Sequence, residues 1–158
     1  MEKLLKIPYK VFNSWDQLQQ FLERKGNPRY EIVGDVDLFN RKDIFDLGNL
    51  VRVYGDLDLR YTPIESLGIL RYVGSNLYLT TSPIESLGNL EYVGDNLYLR
   101  WSTIQSLGNL KHVGGRLYLQ NTPIQSLGNL QHVGGTIYLS RNHQIPEEQL
   151  TKFKIEYV

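Results

Sequence analysis

The feature that most constrains this chain is an internal repeat. The segment 86–99, SLGNLEYVGDNLYL, recurs with few changes at 66–79, 106–119 and 126–139, and a weaker copy covers 47–59. A chain with this pattern is expected to fold as a stack of similar turns, because each turn buries its apolar face against its neighbours. Six apolar-x-apolar cores recur every 20 or 21 residues: Val36/Leu38, Leu57/Leu59, Leu77/Leu79, Leu97/Leu99, Leu117/Leu119 and Ile137/Leu139.

Each turn is predicted to contain a short strand followed by a return segment. In 77–79 the alternation places the two leucines inward and Tyr78 outward, and consecutive turns then form a parallel sheet. Ile84, Leu87 and Leu90 follow at three-residue spacing, which favours a short helical or 3₁₀ segment packed on the strand. We expect the serines before this segment to cap it: Ser66, Ser86, Ser106 and Ser126.

The pattern resembles the leucine-rich repeat family, whose motif Leu-x-x-Leu-x-Leu-x-x-Asn-x-Leu matches 134–142 apart from glycine at the first leucine. The middle turns replace the motif asparagine by hydroxyl residues, which we interpret as structural: Thr62, Ser82, Ser102 and Thr122. The resemblance implies an α/β repeat solenoid, a leucine-rich-repeat horseshoe with a parallel concave β-sheet of about six strands. It looks most like the short, regular repeats of many bacterial and phage proteins, and this likeness implies no particular activity.

The ends do not repeat, as a stack with exposed edges requires. We assign 1–29 to an N-terminal cap with a helix, 30–145 to the repeats and 146–158 to a short C-terminal cap. Ser14 and Gln17 read as a capping box at the helix start. The C-terminal cap is predicted to hold a short helix from Pro146 and a final strand over 154–158.

Composition excludes several classes of function. Seventeen basic and seventeen acidic residues give a net charge of zero, which argues against general nucleic-acid or anionic-membrane binding. The absence of cysteine excludes disulfides, thiolate metal sites and cysteine nucleophiles. We find no signal-peptide or membrane-spanning pattern and expect a cytoplasmic protein, in the host cytoplasm if it is phage-encoded. No cofactor and no metal site is predicted.

Columns of outward residues that change along the stack carry the functional information. The N-terminal end of the predicted concave face is acidic, whereas its C-terminal part is rich in Tyr, Trp and Arg, the residue types enriched in binding hot spots. The candidate partner-binding residues are Asp35, Asp37, Asp56, Asp58, Arg60, Tyr61, Tyr78, Tyr98, Arg100, Trp101, Arg116, Tyr118, Tyr138 and Arg141.

These columns leave alternatives open. The four tyrosines form either a binding surface or a cross-strand ladder that only stabilises the sheet. Asp37 and Asp58 are expected to face each other, which is destabilising and suggests a basic partner. Neutralisation by Arg41 and Arg60 is the second reading, and a bound divalent cation is the third, although no calcium-loop spacing is present.

The leading functional hypothesis is a non-enzymatic module that binds another protein by seating a loop, strand or helix in the concave groove. By resemblance, it would be a phage or bacterial inhibitor or adaptor of a host or defence protein. The alternative is a glycan-binding protein that uses the aromatic ladder, and an enzyme is the third class, although no nucleophile, base and orienting group can be assembled. Self-association through the exposed final strand is left open. His112 and His132 share a column with Tyr72 and Tyr92 and are interpreted as packing or solvent-exposed residues.

Overall fold

A computed structural model describes residues 4–158 of the chain. Those residues form one α-helix, α1 (Trp15–Arg24), 3₁₀ turns at Tyr9–Val11 and Glu147–Gln149, and short strands. In chain order the strands are β1 (Leu5–Pro8), β2 (Tyr30–Val33), β3 (Val36–Asp37), β4 (Leu50–Val53), β5 (Leu57–Asp58), β6 (Tyr72–Val73), β7 (Leu77–Tyr78), β8 (Tyr92–Val93), β9 (Leu97–Tyr98), β10 (His112–Val113), β11 (Leu117–Tyr118), β12 (His132–Val133), β13 (Ile137–Leu139) and β14 (Ile155–Tyr157).

The strands form two parallel sheets of seven strands each. We call one the tyrosine sheet, with strands in the order β3, β5, β7, β9, β11, β13 and β14, and number these positions as turns one to seven; turn seven is the strand of the C-terminal cap and not a repeat. The other, the histidine sheet, runs β1, β2, β4, β6, β8, β10 and β12. Each repeat adds one strand to each sheet, so the molecule is a β-solenoid of about six turns. The prediction of a repeat solenoid with a parallel sheet is thereby confirmed.

The inward columns were predicted correctly, whereas the return segment was not. Leu77 and Leu79 are fully buried, and the equivalent leucines of neighbouring turns form one continuous core with them. The predicted helical or 3₁₀ segment over 84–90 is wrong. Gly88 there has a left-handed backbone with φ 56°, which a right-handed helix does not accommodate. Ser86 is not a helix cap, because its Oγ accepts the Gly88 N–H at 3.1 Å in a tight local turn.

The two sheets meet at a corner where the backbones of successive turns approach closely. A Cβ atom placed on Gly94 would lie 1.9 Å from the carbonyl oxygen of Gly74, and Gly114 and Gly134 are equally constrained by the turns before them. Only glycine fits such an approach. This glycine column therefore allows successive turns to pack closely. It lies in the three-residue connection between a strand of the histidine sheet and the next strand of the tyrosine sheet.

Both non-repeating ends pack on the solenoid core. Trp15, Leu18 and Leu22 of α1 are buried, and the Ser14 hydroxyl accepts the Gln17 N–H as predicted. The Gln17 side chain reaches the Asn13 N–H, one residue earlier than in a standard capping box. At the other end the predicted final strand is confirmed as β14, which pairs with β13. Strand β1, which pairs with β2, was not predicted.

Candidate functional site

The tyrosine sheet carries a continuous stack of four phenol rings. Tyr78, Tyr98, Tyr118 and Tyr138 pair in register on adjacent strands, as predicted. Their ring centroids lie 4.8, 4.8 and 4.9 Å apart, with interplanar angles of 5–6°. Partial burial raises the pKa of both Tyr78 and Tyr98 above the ordinary value of a tyrosine. The Tyr78 and Tyr98 phenols therefore keep their protons at neutral pH, and all four tyrosines of the stack are partly exposed.

The face that carries this stack is flat over turns three to six. Parallel strands in a sheet lie about 4.8 Å apart, and the rings, which lie outside the strands, keep the same spacing. On a concave face the rings would be closer together than their strands. The concave groove predicted from the family resemblance is therefore not shown for this part of the chain, where the ring row is close to a plane.

Little of the aromatic surface of the stack is available for stacking on a ligand. Each interior ring is covered on both faces by its neighbours, and the first ring, Tyr78, has the Arg60 guanidinium 5.0 Å from its centroid. Beyond Tyr138 the next residue in register is Glu156 of β14. Sugar rings bind tyrosine through the ring face, so the geometry disfavours the glycan-binding alternative for this ladder.

In one column of candidate residues, each side chain accepts a hydrogen bond from the backbone N–H of the next turn. The Asp35 carboxylate accepts the Asp56 N–H at 2.8 Å, and the Asp56 carboxylate accepts the Asn76 N–H at 2.8 Å. Asn76 and Asn96 continue the same contact to the next turn. Asp35 and Asp56 therefore have a structural role that an amide fulfils equally well two turns later. Their negative charge is not required by the fold.

Asp37 and Asp58 do face each other across β3 and β5. Asp58 is 13% exposed in its side chain and is paired with Arg60, whose Nε lies 3.0 and 3.1 Å from the two carboxylate oxygens. This pairing raises the pKa of Arg60. Neutralisation by Arg60 thus applies to Asp58, whereas Arg41 pairs with Asp16 and Asp43 instead. Asp37 is exposed, and among residues 4–158 its carboxylate accepts a hydrogen bond from the Phe39 N–H alone.

A column beside the stack has a left-handed backbone in five turns. Asn40, Tyr61, Thr81, Trp101 and Asn121 have φ between 57° and 60°. Asparagine tolerates this region, whereas bulky and β-branched residues do so at a cost. Trp101 is nevertheless 63% exposed and Tyr61 is 43% exposed. Because the Trp101 side chain is mostly solvent-exposed, the folding of the chain does not account for a tryptophan at this position.

Three of the four predicted arginines lie away from the aspartates, in turns four to six of the tyrosine sheet. Arg100, Arg116 and Arg141 are exposed. Within the described part of the chain none of the three forms an ion pair with a carboxylate. The structure thus places the four aspartates in turns one and two of the tyrosine sheet and these three arginines in turns four to six.

A second ring stack, on the histidine sheet, was missed by the sequence analysis. Tyr72, Tyr92, His112 and His132 stack with centroids 4.8, 4.5 and 4.7 Å apart. The shared column was recognised, but it was read as packing or exposure because the strand was not expected. Aromatic residues followed by a β-branched valine, as in 72–73 and 92–93, favour a strand and were the available signal.

The surface depressions are open and small. One of about 330 Å³ lies at the acidic end of the tyrosine sheet, lined by Asp37, Asp58, Arg60 and Tyr78 among others. Another of about 390 Å³ lies on the histidine sheet between Arg52, Arg71 and their tyrosine neighbours. Among residues 4–158 no three histidine, aspartate or glutamate side chains are grouped to hold a metal ion.

Comparison with protein-family models, with curated proteins and with solved structures found no match. Within the described chain, no helix has the length and apolar character needed to cross a bilayer.

Proposed function

We propose that this chain is a non-enzymatic protein-binding module that recognises its partner through the outer face of the tyrosine sheet. The observation that carries the proposal is Trp101. It is exposed and sits on a left-handed backbone where asparagine, present at Asn40 and Asn121, would be less strained. An exposed tryptophan without a role in packing is typical of a binding hot spot.

The surroundings of Trp101 support the same role. Arg100 and Arg116 are exposed beside the phenol row and have no carboxylate partner within the described residues. Tyrosine hydroxyls both donate and accept hydrogen bonds, and stacked rings lose little side-chain entropy on binding. The flat face suits a flat protein surface or an extended segment. The leucine-rich-repeat relationship, and the role of an inhibitor or adaptor of a host or defence protein, belong to the proposal as well.

The proposal is tested by affinity capture from the native cell with two variants of the left-handed column. Trp101→Asn removes the exposed ring and installs the residue that the fold already uses at Asn121. Thr81→Asn, one turn away in the same column, is the matched control. We expect Trp101→Asn to lose the captured partner and Thr81→Asn to retain it. Retention of the partner by a folded Trp101→Asn variant would contradict the proposal.

A further inference from the structure

The side-chain charges on the tyrosine sheet are arranged in an ordered way along the stack. At the acidic end, four aspartates and Arg60 give a net charge of −3: Asp35, Asp37, Asp56 and Asp58. From turn four to turn seven, four cations and Glu156 give a net charge of +3: Arg100, Arg116, Arg141 and Lys154. Over these ten side chains the charges sum to zero, and the two groups carry equal and opposite net charges.

Such a surface is complementary to itself in one orientation only. A twofold axis that lies in the interface parallel to the strands turns the second solenoid end for end. The acidic end of each copy then faces the basic end of the other, and each column faces itself. A twofold axis along the solenoid would place acid on acid and is disfavoured by the same charges.

We propose that two copies of this chain associate face to face through their tyrosine sheets, with the solenoid axes antiparallel. The occupant of the face is a second copy, and the proposal stands independently of any other partner. The flatness shown by the ring spacing of 4.8–4.9 Å is what allows two such faces to meet, since two concave faces would touch only at their rims.

The charges also determine how far the two solenoids are shifted along each other. If the twofold axis passed through turn four, Arg100 would face Arg100 of the second copy, whereas a twofold axis between turns three and four avoids this contact. In that register Asp56 faces Arg116 of the second copy. Tyr118 then faces the Asp58–Arg60 pair, and Tyr138 faces Asp37, whose exposed carboxylate can accept a hydrogen bond from the phenol hydroxyl. Hydrogen bonds from a hydroxyl to a carboxylate are stronger than those between neutral groups.

The small contact area of the two faces limits the affinity of the dimer. Six overlapping turns cover about 29 Å by about 10 Å of sheet, on the order of 300 Å² per copy before the Trp101 and Tyr61 edge is added. A standard interface buries about 800 Å² per partner, so the dimer belongs to the weak class. We expect a dissociation constant on the order of 100 μM that increases with ionic strength.

The test uses two charge variants in sedimentation equilibrium. The first, Asp35→Asn with Asp56→Asn and Asp37→Lys, makes the acidic end basic and retains the side-chain acceptors that Asn76 and Asn96 show to be sufficient. The second, Arg116→Glu with Arg141→Glu, makes the basic end acidic. We expect each variant alone to dimerise at least about tenfold more weakly than the natural chain, and an equimolar mixture to recover the dimer.

Control variants carry the same net charges away from the tyrosine sheet. Glu65→Lys with Glu85→Lys matches the first variant, and Arg71→Glu with Lys111→Glu matches the second. Each control is expected to dimerise alone as the natural chain does. A natural chain that stays monomeric at about 500 μM would overturn the proposal and leave the face to a different partner. Dimers of unchanged affinity in either face variant alone, or a mixture that stays monomeric, would also overturn it.

Discussion

The two ring stacks of this solenoid are almost identical in geometry and differ in what surrounds them. Both have ring centroids 4.5–4.9 Å apart. On the histidine sheet the flanking charges Arg52 and Arg71 each face a nearby glutamate, Glu31 and Glu91, at 3.6 Å. On the tyrosine sheet, apart from the Asp58–Arg60 pair, the acidic and basic groups lie in different turns, and an exposed tryptophan lies beside the stack.

The comparison shows that ring stacking is a consequence of the repeat itself. Any aromatic residue copied into the same column of a parallel stack meets its copy at the strand spacing. A tyrosine ladder alone is therefore no evidence of function, and the two readings of the ladder given by the sequence are not exclusive. The binding surface that we propose depends instead on the residues that break the repeat beside the ladder, namely Trp101, Arg116 and the aspartates.

The corner glycines are common to both sheets, so their replacement should have the largest effect. Gly94→Ala places a methyl group against the carbonyl of Gly74, a backbone atom that cannot move without shifting the turn. We expect a loss of about 3 kcal/mol in the free energy of unfolding, measured by urea denaturation. Asp95→Ala, at the exposed neighbouring position, is the control. A Gly94→Ala variant as stable as the control would contradict the close approach of the turns.

Removal of one ring from the middle of each stack tests whether the stacks are structurally equivalent. Tyr98→Ala and Tyr92→Ala each remove two stacking contacts and partly buried aromatic area. We expect both to lower the free energy of unfolding by about 2 kcal/mol in urea denaturation. The proposed dimer should be weakened by Tyr98→Ala alone. If Tyr98→Ala costs much less stability than Tyr92→Ala, the tyrosine stack is not a structural element of the same kind.

Substitutions in the left-handed column should have a smaller effect on the free energy of unfolding, and they should increase it. Trp101→Asn relieves backbone strain and removes few packing contacts, so we expect the variant to be about 0.5–1 kcal/mol more stable in urea denaturation. Thr81→Asn should gain a similar amount. Destabilisation by Trp101→Asn, with a gain in Thr81→Asn, would show that the ring has a packing role.

The smallest effect is a pH dependence confined to the histidine sheet. Burial, and then the neighbouring His132, lower the pKa of His112 below its usual value. The unfolded chain therefore takes up this proton first, so stability is full above about pH 6.5 and decreases as the pH falls below it. We expect His112→Tyr, which continues the column of Tyr92, to show a smaller loss between about pH 7.5 and 5.5. If the urea midpoints of the natural chain and of His112→Tyr fell equally over this pH range, protonation of His112 would not be the cause.

The sequence predicted the tyrosine sheet well because its strands alternate strictly and recur in phase. Leu97 and Leu99 are buried around Tyr98 as expected, and the tyrosine column is continuous. The histidine sheet was missed because its strands in the regular turns, such as Tyr92–Val93, are followed by glycine, whereas the equally short Leu97–Tyr98 is followed by the buried Leu99, which completes an alternation. The spacing of Ile84, Leu87 and Leu90 arises from the corners of a turn, and Gly88, with its left-handed backbone, was the signal against a helix.

The site was predicted as a set of residues, but not in its shape or internal bonding. The repeat register placed Asp37 and Asp58 opposite each other, but it carried no information on which arginine would pair with them. The flatness of the face depends on small rotations between turns that no single position encodes. The structural role of Asp35 and Asp56 was visible only as their replacement by Asn76 and Asn96 in the same column.

The claim that only the tyrosine sheet is a binding face is tested most directly by NMR of the labelled chain at about 20 and 500 μM, concentrations that bracket the dissociation constant expected for a weak interface. We predict chemical-shift changes on dilution at Tyr78, Tyr118 and Arg116, and unchanged resonances at Tyr92 and His112. Changes centred on the histidine sheet, or spectra that are identical at both concentrations, would contradict the claim.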